Sequence, residues 1–260
     1  MKLYNGDCLE VMDRLIVEGV KVDAIITSPP YNVDLGNNKY NKTPYSLYND
    51  NKEHWEYISW LKDIFSKAKE ILIDGGRVAI NIGDGKNGSI PTHSDIIQFM
   101  RDLGYIQMTT IIWNKNQVSP RTAWGSWLSP SSPSFPTPFE YILIFANNSK
   151  KLTTKGDTDL IKEEFINNSL ALWNIKPETN LKAIGHPAVF PLEIPLRLMK
   201  MLTYTNAVIL DPFMGSGTTG VACINTNRDF IGIELDTGYF NIAKQRIEEA
   251  QSKPKQIVMR

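Results

Sequence analysis

The sequence predicts an α/β protein whose mostly parallel sheet is covered by helices on both faces. Apolar runs of strand length alternate along the chain with amphipathic segments of helix length, the order that builds such a sheet. The 260 residues, 42% of them hydrophobic, suffice for one sizeable core, so a single domain over 1–260 with a modest insertion is expected. No uninterrupted apolar run approaches the ~20 residues of a membrane span.

A short strand over Lys2 to Tyr4 leads into a helix over Leu9 to Val17, and Val22 to Thr27 is a strand stopped by two prolines. His54 to Ile73 has helical periodicity, Arg77 to Ile82 reads as a strand and Ser94 to Leu103 as a helix. Two strands, Met108 to Trp113 and Glu140 to Ala146, then follow one another with no helical segment between them, so an antiparallel hairpin at one sheet edge is expected. Leu192 to Thr203 is a helix, Ala207 to Leu210 a strand, Thr218 to Asn225 a helix, Asp229 to Ile233 a strand and Thr237 to Ala250 a helix. That makes seven strands and six helices. The long connection inside the hairpin holds Arg121, Trp124, Trp127 and a Pro/Ser-rich stretch, and the chain turns polar and irregular from Asn147 to Lys182. Connections of this length are usually functional or lack fixed structure, which places an insertion around 115–182.

The 28 basic and 28 acidic residues cancel, so no global field draws nucleic acid to the chain and any basic groove must be local. Cys8 and Cys223 stand alone in apolar neighbourhoods, which argues against a disulfide or a zinc site; no metal site is expected. The N-terminus runs from Met1 into the polar Asn5-Gly6-Asp7 turn without an export segment, and a cytoplasmic location is expected.

Two corners carry chemistry. The strand Ala207 to Leu210 runs into Asp211-Pro212-Phe213-Met214-Gly215-Ser216-Gly217-Thr218 and then a helix, so Gly215, Gly217 and Gly220 spell G-x-G-x-x-G in the context where that spacing has meaning. Glycines let the backbone turn and approach a ligand while free N–H groups at the helix start face it. Glu234 ends the next strand, where a carboxylate can accept both ribose hydroxyls of a nucleoside; its plain alternative is a solvated carboxylate.

The second corner is Thr27-Ser28-Pro29-Pro30-Tyr31-Asn32, where two prolines remove two backbone donors and fix a rigid end to the strand. The exocyclic amine of a base is a poor nucleophile because its lone pair is delocalised into the ring. A site that accepts its N–H hydrogens can reshape the nitrogen toward tetrahedral. The Ser28 hydroxyl and the Pro29 carbonyl are two such acceptors, and Tyr31 offers a face for an extruded base to stack on. A plain loop with Tyr31 as cover is the alternative.

These residues resemble the amino-methylating DNA methyltransferases of bacteria and phages, in the permuted arrangement where the catalytic motif precedes the cofactor motif. The resemblance covers most of the chain and is weakest between Asn148 and Lys182. It implies the Rossmann-like fold of S-adenosylmethionine-dependent methyltransferases, with seven strands and a final antiparallel hairpin. It implies that Asp211, Pro212, Phe213, Gly215, Ser216, Gly217 and Thr218 form the S-adenosylmethionine loop, that Glu234 holds the ribose, and that Ser28, Pro29, Pro30 and Tyr31 form the catalytic motif. Asp7 resembles the contact to the cofactor's adenine amine and equally reads as a helix N-cap. His186 and Phe190 resemble the element ahead of the helix beside the methionine end, with Pro191 suited to a first helical position and His186 equally a structural histidine. The connecting segments Lys115 to Pro138 and Asn148 to Lys182 would select the sequence on double-stranded DNA. Arg121, Trp124 and Trp127 are candidates there, although tryptophans under a loop are more often core, and Lys39 and Lys42 lie in a polar run that could close over a flipped base or be a surface loop.

Serine at the first catalytic position is commoner, by resemblance, in enzymes acting on N4 of cytosine, aspartate in those acting on N6 of adenine; N4 of cytosine is the expectation and N6 of adenine the alternative. Methylation at carbon 5 needs a cysteine nucleophile, and none lies beside the Pro-Pro corner. A nicotinamide dehydrogenase shares the glycine fingerprint, but Asp211-Pro212-Phe213 and the Ser28 corner have no place in it. A silent DNA-binding subunit is a third reading. A cognate restriction endonuclease is a conceivable partner, and monomer and homodimer both stay open.

Overall fold

The structure, a computed structural model, describes residues 1–32, 52–116, 130–133, 135, 137–178 and 190–252. In chain order these form β1 (Lys2–Asn5), α1 (Cys8–Val17), β2 (Val22–Thr27), α2 (His54–Ile71), β3 (Leu72–Ile82), α3 (Thr92–Asp102), β4 (Tyr105–Asn114), β5 (Phe139–Asn147), α4 (Lys162–Asn168), β6 (Leu172–Asn174), α5 (Glu193–Leu202), β7 (Val208–Asp211), α6 (Thr218–Thr226), β8 (Asp229–Glu234) and α7 (Thr237–Ser252). The candidates Lys39, Lys42, Arg121, Trp124, Trp127 and His186 lie outside the described residues.

One sheet runs in the order β1-β8-β7-β2-β3-β5-β4-β6. Only β5 runs against its neighbours β3 and β4; the other pairings are parallel. Alternating side chains along the strands feed two cores, as the pleat requires. Ile25, Val78, Ile80, Leu143, Phe145, Leu210 and Ile231 face α1, α2 and α3. Ala24, Ile26, Ala79, Ile142, Ile144, Ile209 and Phe230 face α5, α6 and α7.

Three expectations need correction. Among the described residues the sheet has eight strands, because β6 pairs in parallel with β4 and takes the edge that the β4–β5 hairpin was expected to hold. A three-residue strand after the polar seven-residue α4 carries too few apolar positions to show a period; Trp173 alone is buried there, with the Arg197 guanidinium 5.4 Å over its ring. The span 115–182 is not one insertion, since β5 lies inside it and pairs with both β3 and β4. Pro191 precedes α5 and does not open it; its carbonyl accepts the Ile194 N–H at 3.0 Å.

Going from β2 through α2 the chain moves along the sheet in one direction, and from β7 through α6 in the other. The adjacent pair β2–β7 is therefore the point where the winding reverses, and the crevice outside the carboxyl ends of such strands is where ligands bind in open α/β sheets. Both chemical corners stand there.

Candidate active site

Thr27, the last residue of β2, donates from its hydroxyl to Asp211 Oδ1 at 2.6 Å, which ties the two corners directly although they lie 184 residues apart. The Thr219 hydroxyl donates to Asp211 Oδ2 at 2.7 Å and the Phe213 N–H to Oδ1 at 3.1 Å. Asp211 is thus a buried knot: burial pushes its carboxyl up to about 6, and the hydrogen bonds from Thr27, Thr219 and Phe213 hold it from going higher.

The glycines divide their work. At Gly217 φ is +82°, and a Cβ would lie 2.9 Å from the Ala243 Cβ and 3.0 Å from its Cα, so this residue lets the loop pack on α7. A Cβ on Gly220 would meet Ile247 Cδ1 at 2.4 Å and Phe230 Cε1 at 2.8 Å, so the third glycine seats α6 against α7 and β8. Gly215 is half-buried with φ +50°, and its N–H donates to Glu234 Oε2 at 2.8 Å, which ties the loop to the end of β8. Arg246 of α7 donates to the hydroxyls of Ser216 (2.8 Å) and Thr218 (3.5 Å), so these two buried side chains are tied to α7.

Glu234 Oε1 accepts the Asp236 N–H at 2.9 Å. Burial outweighs these two N–H donors and pushes the Glu234 carboxyl up to about 7. Next to it, at the end of β1, Asp7 caps α1 by accepting from Leu9 N at 2.8 Å and Glu10 N at 3.3 Å, both at Oδ1. Asp7, Glu234, the glycine loop and the Ser28 corner therefore stand side by side along the carboxyl ends of β1, β8, β7 and β2.

At the Ser28 corner, the Tyr57 hydroxyl donates to the Pro30 carbonyl at 2.7 Å, fixing the second proline from α2. Ser28 Oγ donates to the Tyr31 hydroxyl at 3.1 Å, which donates in turn to Glu140 Oε2 at 2.7 Å. Asn81 Nδ2 reaches both the Tyr31 hydroxyl (2.6 Å) and Glu140 Oε2 (2.8 Å), and the Lys115 ammonium sits on Glu140 Oε1. Burial and the neighbouring Glu140 charge push the Tyr31 phenol well above its ordinary value. Beside the corner, the Trp60 and Phe213 rings meet with centroids 5.5 Å apart, so α2 also supports the glycine loop.

A family profile described as DNA methylase, that of the N6 and N4 enzymes, matches residues 22–245, a span that includes both corners. The chain belongs to the N6/N4 DNA methylase family. The Type II methyltransferase M.MjaVI of Methanocaldococcus jannaschii is 40% identical to this methylase over 180 residues, covering 68% of this chain and 86% of its own length. A Thermus thermophilus protein described as a putative DNA modification methylase, solved with S-adenosyl-L-methionine, superposes with a TM-score of 0.71 at 26% identity over 97% of each chain. The structure of M1.HpyAVI with the same compound superposes at 0.63 with 25% identity, covering 95% of this chain and 98% of that one.

In the methylase, the residues expected from sequence that the structure brings together are Asp7, Ser28, Pro29, Pro30, Tyr31, Asp211, Pro212, Phe213, Gly215, Ser216, Gly217, Thr218 and Glu234. Phe190 is half-buried and packs against the core that contains Met214 of the glycine loop. Residues that sequence reasoning missed are Asn81, Glu140, Lys115, Tyr57 and Arg246. Asn81 and Glu140 sit within strands read as core, where a polar residue in an apolar run was the available signal. Cys8 and Cys223 are both buried, and burial raises the Cys8 thiol to about 12 and the Cys223 thiol well above its usual range, so neither is a nucleophile. Among the described residues, no helix is long and apolar enough to cross a membrane.

Proposed function

We propose that this methylase transfers the methyl group of S-adenosylmethionine to N4 of cytosine within a short sequence of double-stranded DNA. The observation that carries the reading is the bond between Thr27 and Asp211, which joins the Ser28 corner to the glycine loop at the reversal of the sheet. S-adenosylmethionine supplies an electrophilic methyl group on a sulfonium sulfur. The chain has the acceptors that its nucleoside end requires: Glu234 uses two of its roughly four lone-pair sites on Gly215 and Asp236, and Asp7 uses one oxygen for capping. Glu234 would hold the ribose, Asp7 the adenine amine, and the Gly215 backbone would stand against the methionine portion. Asp211, with both oxygens taken by the protein, shapes the loop from behind.

At the other corner Ser28 and the Pro29 carbonyl accept the amine hydrogens, which localises the lone pair on nitrogen. A neutral serine hydroxyl at the first position favours cytosine N4 by resemblance. Specificity falls to the two connections on either side of β5. Lys115 leaves β4, and Ile175 leaves β6, at the same end of the sheet as Tyr31, and the Lys115 N–H holds the Pro138 carbonyl at 2.9 Å where the chain returns to β5. A cognate restriction endonuclease is the partner consistent with the relatives' names.

The test is nucleoside analysis of plasmid DNA methylated by the purified protein, combined with sequencing that maps modified positions. N4-methylcytosine in one sequence context is expected. N6-methyladenine would replace the base assignment and leave the family intact, and no methylated nucleoside would remove the activity. Exchanging 115–138 and 148–182 for those of a relative should change the context.

Cofactor affinity should depend on pH through Glu234. Its folded, ligand-free carboxyl titrates at about 7, above the ordinary 4.5, so a proton occupies an acceptor site as pH falls through 7. Between pH 8 and pH 6 the dissociation constant for S-adenosylmethionine should rise by about tenfold, and Glu234→Gln should flatten the curve. The ligand-free fold should respond in the opposite sense: a raised carboxyl binds more protons folded than unfolded, so its stability contribution is full below 4.5 and is lost as pH rises through 7.

A further inference from the structure

Glu140 is buried and bonds no residue of the glycine loop, yet it is joined to the Ser28 corner by a directed chain of hydrogen bonds. Ser28 Oγ donates to the Tyr31 hydroxyl at 3.1 Å and Tyr31 donates to Glu140 Oε2 at 2.7 Å. We infer that Ser28, Tyr31 and Glu140 form a proton relay that carries the proton released by the methylated amine to the Glu140 carboxylate. The inference rests on the reading that Ser28 receives the amine.

The amine lone pair forms the new N–C bond while the C–S bond breaks and leaves its electron pair on sulfur, so the positive charge passes from sulfur to nitrogen. The nitrogen then gives a proton to Ser28 Oγ as Ser28 gives its own to the Tyr31 oxygen and Tyr31 gives its own to Glu140 Oε2. The N–H electron pair returns to nitrogen, and the carboxylate becomes a carboxylic acid. No oxidant or further reactant is needed.

The surroundings suit that task. Burial beside Glu140 holds Tyr31 as a neutral phenol, which passes a proton on without keeping a charge. Asn81 Nδ2 bonds both the Tyr31 oxygen and Glu140 Oε2, which fixes the two at bonding distance. The Lys115 ammonium on Oε1 leaves Oε2 to face the tyrosine. Among the described residues, Asp84 and His93 at this end are paired with each other at 2.7 Å, Tyr141 stacks on His93 with centroids 3.8 Å apart, and the Tyr57 hydroxyl is held on the Pro30 carbonyl at 2.7 Å. The Glu140 side chain keeps 11% of its exposure, through which the proton can leave to water between turnovers. Before transfer the same chain acts on Ser28: each donated bond polarises the next, making Oγ a stronger acceptor for the amine hydrogen.

Single-turnover methylation by the full-length protein, with saturating DNA and S-adenosylmethionine, tests the relay in Glu140→Gln, Tyr31→Phe and the double variant. Glutamine keeps the shape of Glu140 but takes no proton, and phenylalanine keeps the ring but breaks the chain. Each single variant should be slower by between about tenfold and a hundredfold, with dissociation constants for DNA and S-adenosylmethionine within about twofold of the parent, and the double variant no slower than the slower single one. A parent-like rate in either single variant, or losses that multiply in the double, would overturn the relay. Glu140→Asp, which keeps a carboxylate, should stay faster than Glu140→Gln; equal rates would also overturn it, and this pair decides the matter if the double variant does not fold. A parent protein that methylates no DNA would instead overturn the function on which the relay rests.

Discussion

Asp211→Ala should lower the unfolding free energy by about 2–4 kcal/mol at pH 7 and reduce S-adenosylmethionine binding beyond detection at concentrations that saturate the parent protein. The substitution leaves the Thr27 and Thr219 hydroxyls and the Phe213 N–H without their acceptor in a buried place. Each orphaned donor costs about 1–3 kcal/mol. Part of that loss is offset because a carboxyl raised from 3.8 to about 6 carries a burial penalty, which alanine removes. Asp211→Asn separates the two contributions. It keeps an acceptor and a donor for hydroxyls that can reorient, so its stability should lie within about 1 kcal/mol of the parent. It should also lack the parent's gain in stability as pH falls from about 6 toward 3.8. Urea unfolding at pH 7 and pH 5, beside equilibrium binding of S-adenosylmethionine, reads all of this. An alanine variant with the parent's midpoint would mean that Asp211 is not the knot between the corners, and lost stability with intact binding would mean that the knot does not shape the loop.

Tyr31→Ala should lower the single-turnover rate by at least about a hundredfold and leave S-adenosylmethionine affinity within about threefold. The ring stands on the Ser28 side of the β2–β7 boundary, and its hydroxyl bonds Ser28, Asn81 and Glu140 and no residue of the glycine loop. The loop has its own supports in Asp211, Arg246 and the Trp60–Phe213 contact. A melting curve is needed beside the kinetics, since a half-buried ring is lost. Collapsed cofactor affinity with an intact rate would show that the roles of the two corners are reversed.

The strands and long helices were legible because their apolar residues repeat with a clear period and because strand ends carry punctuation: Pro29-Pro30 after β2, Gly215 to Gly217 after β7, Asp7 ahead of α1. The two corners were legible for the same reason, since both stand where a strand stops and both combine turn residues with polar side chains. Their joining was not. The hydrogen bond from Thr27 to Asp211 depends on β2 and β7 being neighbours, and strand order is a property of the packed sheet that no local spacing encodes. Glu140 was hidden differently: on a strand it reads as one polar residue in an apolar run, and only the antiparallel register, which sets Asn81 opposite Ile142 and Ile82 opposite Tyr141, carries its carboxylate to Tyr31. Gly217 and Gly220 were read as making room for a ligand, whereas they make room for Ala243 and Ile247 of a helix that comes later in the chain.

The sheet order also bears on how the protein is made. Strand β2 needs β7 on one side, and β1 has no neighbour until β8 exists, so the centre of the molecule closes only when residues 208–234 have been synthesised. At ribosomal rates of ~5–20 residues per second, the emerging chain waits on the order of ten seconds with one edge of β2 uncovered, an aggregation hazard that chaperones answer.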